Sequence, residues 1–200
     1  MQYLVTMTTQ VPADVSEATV DEVRGREAAR SRELVAGGHL LRLWRPPLEP
    51  GEWRTLGLFE ADDAAQLEEV LASMPLRIWR HDEVMPLLPH PNDPTSPTPL
   101  RLDATEYFTT FTVTIPDDAD PNDVDARHAA EATATRDLAA KGNLLRLWST
   151  GENRALGLWQ TDAADELPAI LAALPLAEWL RTETIPLTTH PSDPAHATPA

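Results

Sequence analysis

Slid along itself by 104 residues, the sequence aligns Tyr3 with Tyr107, Thr6 with Thr110, Pro12 with Pro116, Glu27 with Glu131 and Trp44 with Trp148. Nine residues then separate Trp44 from Arg54, but five separate Trp148 from Arg154, so the offset falls to 100. From 54 to 94, 19 of 41 positions match their partners. Chance does not produce that agreement, and the period is too long for a solenoid turn. Each copy must therefore be a folding unit with its own core. The spacing defines repeat 1 over residues 1–94, a proline-rich linker over 95–104 and repeat 2 over 105–194.

Each copy carries the same element order. Residues 2–10 alternate in the manner of a strand. Ser16 and Asp120 are N-caps for a long helix, ending near Ala36 in the first copy, and Pro121 suits the first helical position of the second. Leu40-Leu41-Arg42-Leu43-Trp44 and Leu144-Leu145-Arg146-Leu147-Trp148 follow as strands, each after a glycine-containing step. Strict alternation puts Leu41 and Leu43 on one face, with Leu40, Arg42 and Trp44 on the other. A strand over about 54–60 comes next. A short helix capped by Asp62 or Asp162 stops before Pro75 or Pro175, and a last strand covers about 81–88. The order β-α-β-β-α-β is the ferredoxin-like unit. The expected fold is α+β, with two tandem units forming a dimeric α+β barrel-like pseudo-dimer. The stretch from Thr189 repeats the linker composition with nothing left to link, and is expected to be disordered.

Composition narrows the function. With 32 acidic residues against 16 basic, the net charge of −16 argues against nucleic acid and anionic membrane surfaces as partners. There is no cysteine, which removes disulfides, thiolate catalysis and cysteine-ligated metals. No basic leader precedes the first strand and no apolar run reaches membrane-spanning length, so a cytoplasmic protein is expected. The six histidines lack metal-ligand spacing, and no phosphate loop, nucleophile elbow or dinucleotide fingerprint occurs. No metal and no cofactor are expected.

The chemical anomaly is a glutamate in an apolar stripe. Val20, Val23, Glu27 and Leu34 share one helix face, and Val124, Glu131 and Leu138 repeat the spacing. Burial would raise such a carboxyl toward the working range of a general acid–base, and a nearby arginine would pull it back. A Glu27–Arg42 ion pair is the structural alternative. Arg42 and Arg146, set between apolar residues, need an anionic partner from protein or ligand. Trp44, Trp148, Trp79 and Trp179 read as core, the first two also as walls for a planar ligand. His90 and His190 sit in His-Pro turns and read as structural.

Taken together, Met7-Thr8, Pro12, Glu27, Gly38, Leu43-Trp44-Arg45, Phe59, Pro75-Leu76 and His90-Pro91 make repeat 1 resemble the muconolactone Δ-isomerases. Pro116, Glu131, Gly142, Leu147-Trp148, Pro175-Leu176 and His190-Pro191-Ser192 carry the resemblance through repeat 2, whose loop length fits better; repeat 1 has four extra residues around Pro46-Pro47. The resemblance implies ferredoxin-like proteins assembling as homo-oligomers, which shift a lactone double bond by moving a proton without metal or cofactor. It implies Glu27 and Glu131 as bases and places the family's basic helper on Arg24 and His128. Arg42 and Arg146 stand where the family has histidine. Arginine holds its proton near neutrality, so it can only bind substrate or stabilise an oxyanion.

The expected function is a cofactor-independent isomerase acting on a small unsaturated lactone or enone, with Arg42, Arg146, Trp44, Trp148 and Arg45 contacting substrate. The alternatives are a hydrolase or cyclase opening a lactone or epoxide in the same pocket, or a non-catalytic ligand-binding or assembly module. The pockets are expected to differ. Arg24, Arg26, Arg30, His39 and Arg45 of the first copy face His128, Ala130, Ala134, Asn143 and Ser149 at the same positions of the second.

Overall fold

The computed structural model describes residues 1–196. The chain divides into two compact units: residues 1–87 with the segment from Thr188 onward, and residues 88–187.

In unit 1 the order is β1 (Gln2–Thr9), α1 (Glu17–Ala36), β2 (Leu40–Arg45), β3 (Arg54–Glu60), α2 (Ala64–Ala72), a 3-10 turn at Pro75–Trp79, and β4 (Arg80–Pro89). Its antiparallel sheet runs β4-β1-β3-β2. Unit 2 repeats this with β5 (Thr105–Val113), α3 (Pro121–Ala140), β6 (Leu144–Gly151), β7 (Arg154–Thr161), α4 (Glu166–Ala172), a 3-10 turn at Ala177–Trp179, and β8 (Leu180–Thr189). Its sheet order is β8-β5-β7-β6. Both are ferredoxin-like α+β units.

Local signals explain the long helices. The Ser16 side chain accepts the Thr19 N–H, and Asp120 accepts the Asn122 N–H just ahead of Pro121. The short helices start later than expected, by one residue in the first copy and three in the second. Asp63, not Asp62, caps α2, accepting the N–H groups of Ala65 and Gln66. Asp165, not Asp162, occupies the cap position of α4. In the first copy Gln66 explains the shift, because its side chain takes the Asp62 N–H and leaves the cap to Asp63.

Strict alternation also fails in the arginine strands. Leu40 pairs with Phe59 but Arg42 pairs with Leu58, so Leu41 is an extra residue in a β-bulge. The bulge returns Leu40 to the face of Leu43, and both join the core with Tyr3, Val5, Phe59, Leu34, Leu67 and Leu71. The second copy has the same bulge, and Leu144 with Leu147 packs beside Trp159, Tyr107 and Leu167.

The segment from Thr189 is ordered as far as His196, against the expected disorder; residues 197–200 lie outside the described residues. Thr188 and Thr189 pair with Arg45 and Trp44, which makes the end of repeat 2 part of unit 1. Correspondingly, Leu88 and Pro89 pair with Ser149 and Trp148 in unit 2. The proline-rich stretch is anchored within unit 2. The Thr98 hydroxyl donates to the Leu144 carbonyl at 2.9 Å, and the Arg101 N–H donates to Gln160 Oε1 at 2.9 Å.

Candidate functional site

In each unit a cavity is built around the glutamate of the long helix. In unit 1, α1 presents Glu27 on the stripe of Val23 and Leu34, both almost fully buried. Glu27 Oε2 accepts the Leu76 N–H at 2.8 Å, and Oε1 accepts from Arg80 Nη1 at 3.2 Å. Burial pushes this carboxyl above its usual range; the Leu76 N–H and then Arg80 pull it back, while Asp82 opposes them. In unit 2, Glu131 Oε2 accepts the Leu176 N–H at 3.1 Å, and Oε1 meets no donor among the described residues. Burial again raises the carboxyl, opposed by that N–H and by His128.

A histidine that the sequence marked as structural completes each cavity. His190, from the C-terminal segment, lines the Glu27 cavity, and His90 lines the Glu131 cavity. The Ser192 N–H donates to His190 Nδ1 at 3.1 Å, and the Asn92 N–H donates to His90 Nδ1 at 3.1 Å. A ring nitrogen that accepts from an amide cannot carry a proton, so the neutral ring is the Nε2–H tautomer. Burial, reinforced by Arg45 and opposed by Asp193, lowers His190 to about 4. His90 is lowered by burial against Asp93. Both imidazoles are neutral N–H donors near pH 7.

The arginine strands position these histidines. Arg42 Nε lies 3.1 and 3.2 Å from the two Asp193 carboxylate oxygens, and Leu43 N–H donates to the same carboxylate at 3.1 Å. Arg146 binds Asp93 in the same way, with Leu147 N–H donating at 2.7 Å. The anionic partner each arginine needed is thus the aspartate three residues beyond the His-Pro turn. The alternative Glu27–Arg42 pair does not form: Arg42 binds Asp193, and Arg80 reaches Glu27. Arg42 and Arg146 lie over the rings of Trp44 and Trp148, 4.7 and 4.8 Å from their centroids. None of these four side chains lines the cavities.

Of the other candidates, Arg24 and Arg45 line the Glu27 cavity and His128 lines the Glu131 cavity. Arg26 pairs with Glu22, Arg30 with Glu33 and Ser73, and His39 with the Glu60 carbonyl, all away from the cavity. Sequence reading missed Arg80, which is nearly buried and shares Asp82 with Arg77. The available signal was its replacement by Leu180 in the other copy, together with Asp82 by Thr182.

The cavities differ in size and lining. The first, about 760 Å³, is walled by Arg24, Arg45, Arg54 and Arg80 against two carboxylates, Glu27 and Glu52. The longer β2–β3 connection of this copy contributes Leu48, Gly51, Glu52 and Trp53 to that wall, and Arg24 lies 4.4 Å above the Trp53 ring. The second, about 320 Å³, is lined by Phe111, Leu147, Trp159, Leu174 and Leu180 with no arginine.

Fold and site together define a duplicated ferredoxin-like protein with a carboxylate-centred cavity in each unit. The sequence profile of the muconolactone delta-isomerase family matches residues 1–93 and again 105–193, and the chain belongs to that family. Muconolactone Delta-isomerase of Rhodococcus opacus is 32% identical over 89 residues, 44% of this chain and 92% of that protein. Muconolactone Delta-isomerase 1 of Acinetobacter lwoffii is 32% identical over 92 residues, 46% of this chain and 93% of that protein. Chlorite dismutase from Candidatus Nitrospira defluvii shares the fold with a TM-score of 0.60, over 96% of this chain and 92% of that one. At 11% identity the likeness extends to the fold alone. No helix among the described residues is long and apolar enough to cross a membrane.

Proposed function

We propose that this chain is an isomerase that shifts the double bond of a small unsaturated lactone or enone by carboxylate-mediated proton transfer. The observation that carries the reading is the pairing, in each cavity, of a glutamate raised by burial with a histidine held as a neutral Nε2–H donor.

The step balances within one molecule. A carboxylate oxygen of Glu131 or Glu27 takes a proton from the carbon α or γ to the carbonyl, and the electron pair moves to the carbonyl oxygen as a dienolate. The carboxylic acid returns the proton at the other position, and the double bond has moved. The substrate as a whole is neither oxidised nor reduced, so acid–base groups suffice without a cofactor. The imidazole Nε2–H acts where negative charge develops. A neutral donor suits this task because it offers a hydrogen bond without protonating the base beside it. Arg24 and Arg45 add positive charge for an anionic substrate in the first cavity, and His128 is a titratable helper in the second. Arg42, Arg146, Trp44 and Trp148 act as positioning residues for the histidine turns.

Turnover of an unsaturated lactone in D2O tests the reading. Isomerisation gives the shifted lactone, with deuterium at the receiving carbon only to the extent that the carboxylic acid exchanges with solvent before returning its proton, and ring-opened acid would instead indicate hydrolysis. Full activity in the E27Q/E131Q double variant would end the proposal.

A further inference from the structure

We propose that Thr9, Ser31 and Thr55 form a hydroxyl-binding subsite of the first cavity, and that this cavity takes a lactone that carries an alcohol. All three residues line the cavity, and they are 7%, 4% and 9% exposed. Their hydroxyls meet no hydrogen-bond partner among the described residues. A buried hydroxyl left unpaired is costly, so three in one wall mark where a polar group binds. None of them is sealed off. Among the described residues, the buried side-chain atoms that lack both a partner and accessible surface belong to Arg101, Trp159 and His196.

Two strands and the long helix bring the three together. Thr55 pairs with Met7 across β3 and β1, and Thr9 follows Met7 by two residues, so Thr9 and Thr55 stand on one face of the sheet. Met7 shares the core with Leu34 of α1, so this is the face that the helix covers. Ser31 follows Glu27 by one turn on the stripe that continues to Leu34, and its side chain meets the same face. It lies about 6 Å along the helix axis from the base, a reach that a small ring with a one-carbon substituent spans. Arg24 lines the cavity a turn before Glu27, so a carboxylate and an alcohol on one ligand would fall on opposite sides of the base.

The second copy shows that packing does not require these hydroxyls. Val113 and Ala155 line the second cavity at the positions of Thr9 and Thr55. Thr135, at the position of Ser31, donates its hydroxyl back to the Glu131 carbonyl at 2.9 Å. The polar groups the second cavity does have, His90, Asn92, His128 and Glu131, stand where the first cavity is polar as well. Serine and threonine hydroxyls both donate and accept, which matches an alcohol. A carboxylate only accepts, and at this subsite it would sit a turn from the Glu27 carboxylate.

This inference adds a ligand feature to a cavity of the isomerase reading, and its test needs binding alone. Met74 lines the first cavity and no methionine lines the second, so its 13C-methyl signal, assigned with M74L, reports on the first. With 5-(hydroxymethyl)-2(5H)-furanone that signal should reach half its shift at about three- to tenfold lower concentration than with 5-methyl-2(5H)-furanone, which lacks only the oxygen. In T9V/S31A/T55A, where two of the changes install second-copy residues, the two lactones should titrate alike. S31A alone, with a helix-favouring residue, should narrow the preference by at least about twofold. Equal titration of the native chain, a preference that survives the triple substitution, or no shift with either lactone would each overturn the proposal. Selective binding without turnover would leave it standing and count against the isomerase reading; turnover without the preference would do the reverse.

Discussion

Arg80 Nη1 stands 3.2 Å from Glu27 Oε1 in the first unit, where the second unit sets Leu180 in the cavity of Glu131. One glutamate thus shares a buried cation with Asp82, and the other accepts a backbone N–H and has His128 in its cavity. An ion pair lowers a carboxylate's basicity, so Glu27 and Glu131 are expected to differ as proton acceptors.

Substitution separates them. The E27Q/E131Q double variant should lose at least about 100-fold in kcat, because glutamine keeps the shape of glutamate without accepting a proton. On an uncharged lactone, E131Q alone should cost more than E27Q. Steady-state kinetics of the three variants checks the order, and equal losses in the single variants would count against the difference in base strength.

Removing Arg80 should be felt first as stability. Its side chain and that of Asp82 are each 2% exposed, and Arg77 also binds Asp82. R80L leaves Glu27 and Asp82 short of a buried cation and should destabilise the fold by about 3 kcal/mol. Installing the rest of the repeat 2 solution as R80L/D82T should recover much of that loss, because the stranded carboxylate goes too. Urea unfolding midpoints measure both steps.

His190 makes the fold sensitive to acid. Its native value is about 4, below the 6.5 of the free side chain, so on acidification the unfolded chain binds this proton first. Its contribution is intact above pH 6.5 and is lost as the pH falls from there through about 4. In H190Q the stability should decline less steeply over that interval. Imidazole 15N shifts should also show His190 neutral at pH 5.5, and a charged ring at that pH would contradict the assignment.

The two arginine–aspartate clasps should differ in weight. The Asp193 side chain is fully buried and Arg42 is 14% exposed, whereas Asp93 and Arg146 are 22% and 35% exposed. D193A removes a fully buried carboxylate that binds both Arg42 and the Leu43 N–H and should cost about 3 kcal/mol. D93A should cost clearly less, since water already reaches that pair. D193A should also weaken ligand binding in the first cavity, because the Asp193 carboxylate ties the turn that carries His190 to Arg42 and to the Leu43 N–H. Thermal melts and ligand titrations of the two variants check both effects.

Some of this was legible before any coordinates. The duplication shows in the self-alignment, while the caps at Ser16 and Asp120 and the burial of Glu27 and Glu131 follow from patterns contained within a few turns of chain. Caps and periodicity act between near neighbours, so they survive in the sequence as spacing. The cap of the short helix lay at the limit of that rule: Asp62 and Asp63 are equivalent as letters, and the Gln66 side chain decides between them.

What the sequence by itself determined, then, is two α+β units with a carboxylate on the inner stripe of each long helix. Only the tertiary structure decided what surrounds those carboxylates. The partner of Arg42 is 151 residues away, and the histidine beside Glu27 comes from the other end of the chain. Leu40 reaches the core through a bulge visible only in the pairing with β3. Ion pairing and desolvation arise from groups brought together by folding. A residue's letter records what it can donate or accept, and the fold decides what it meets.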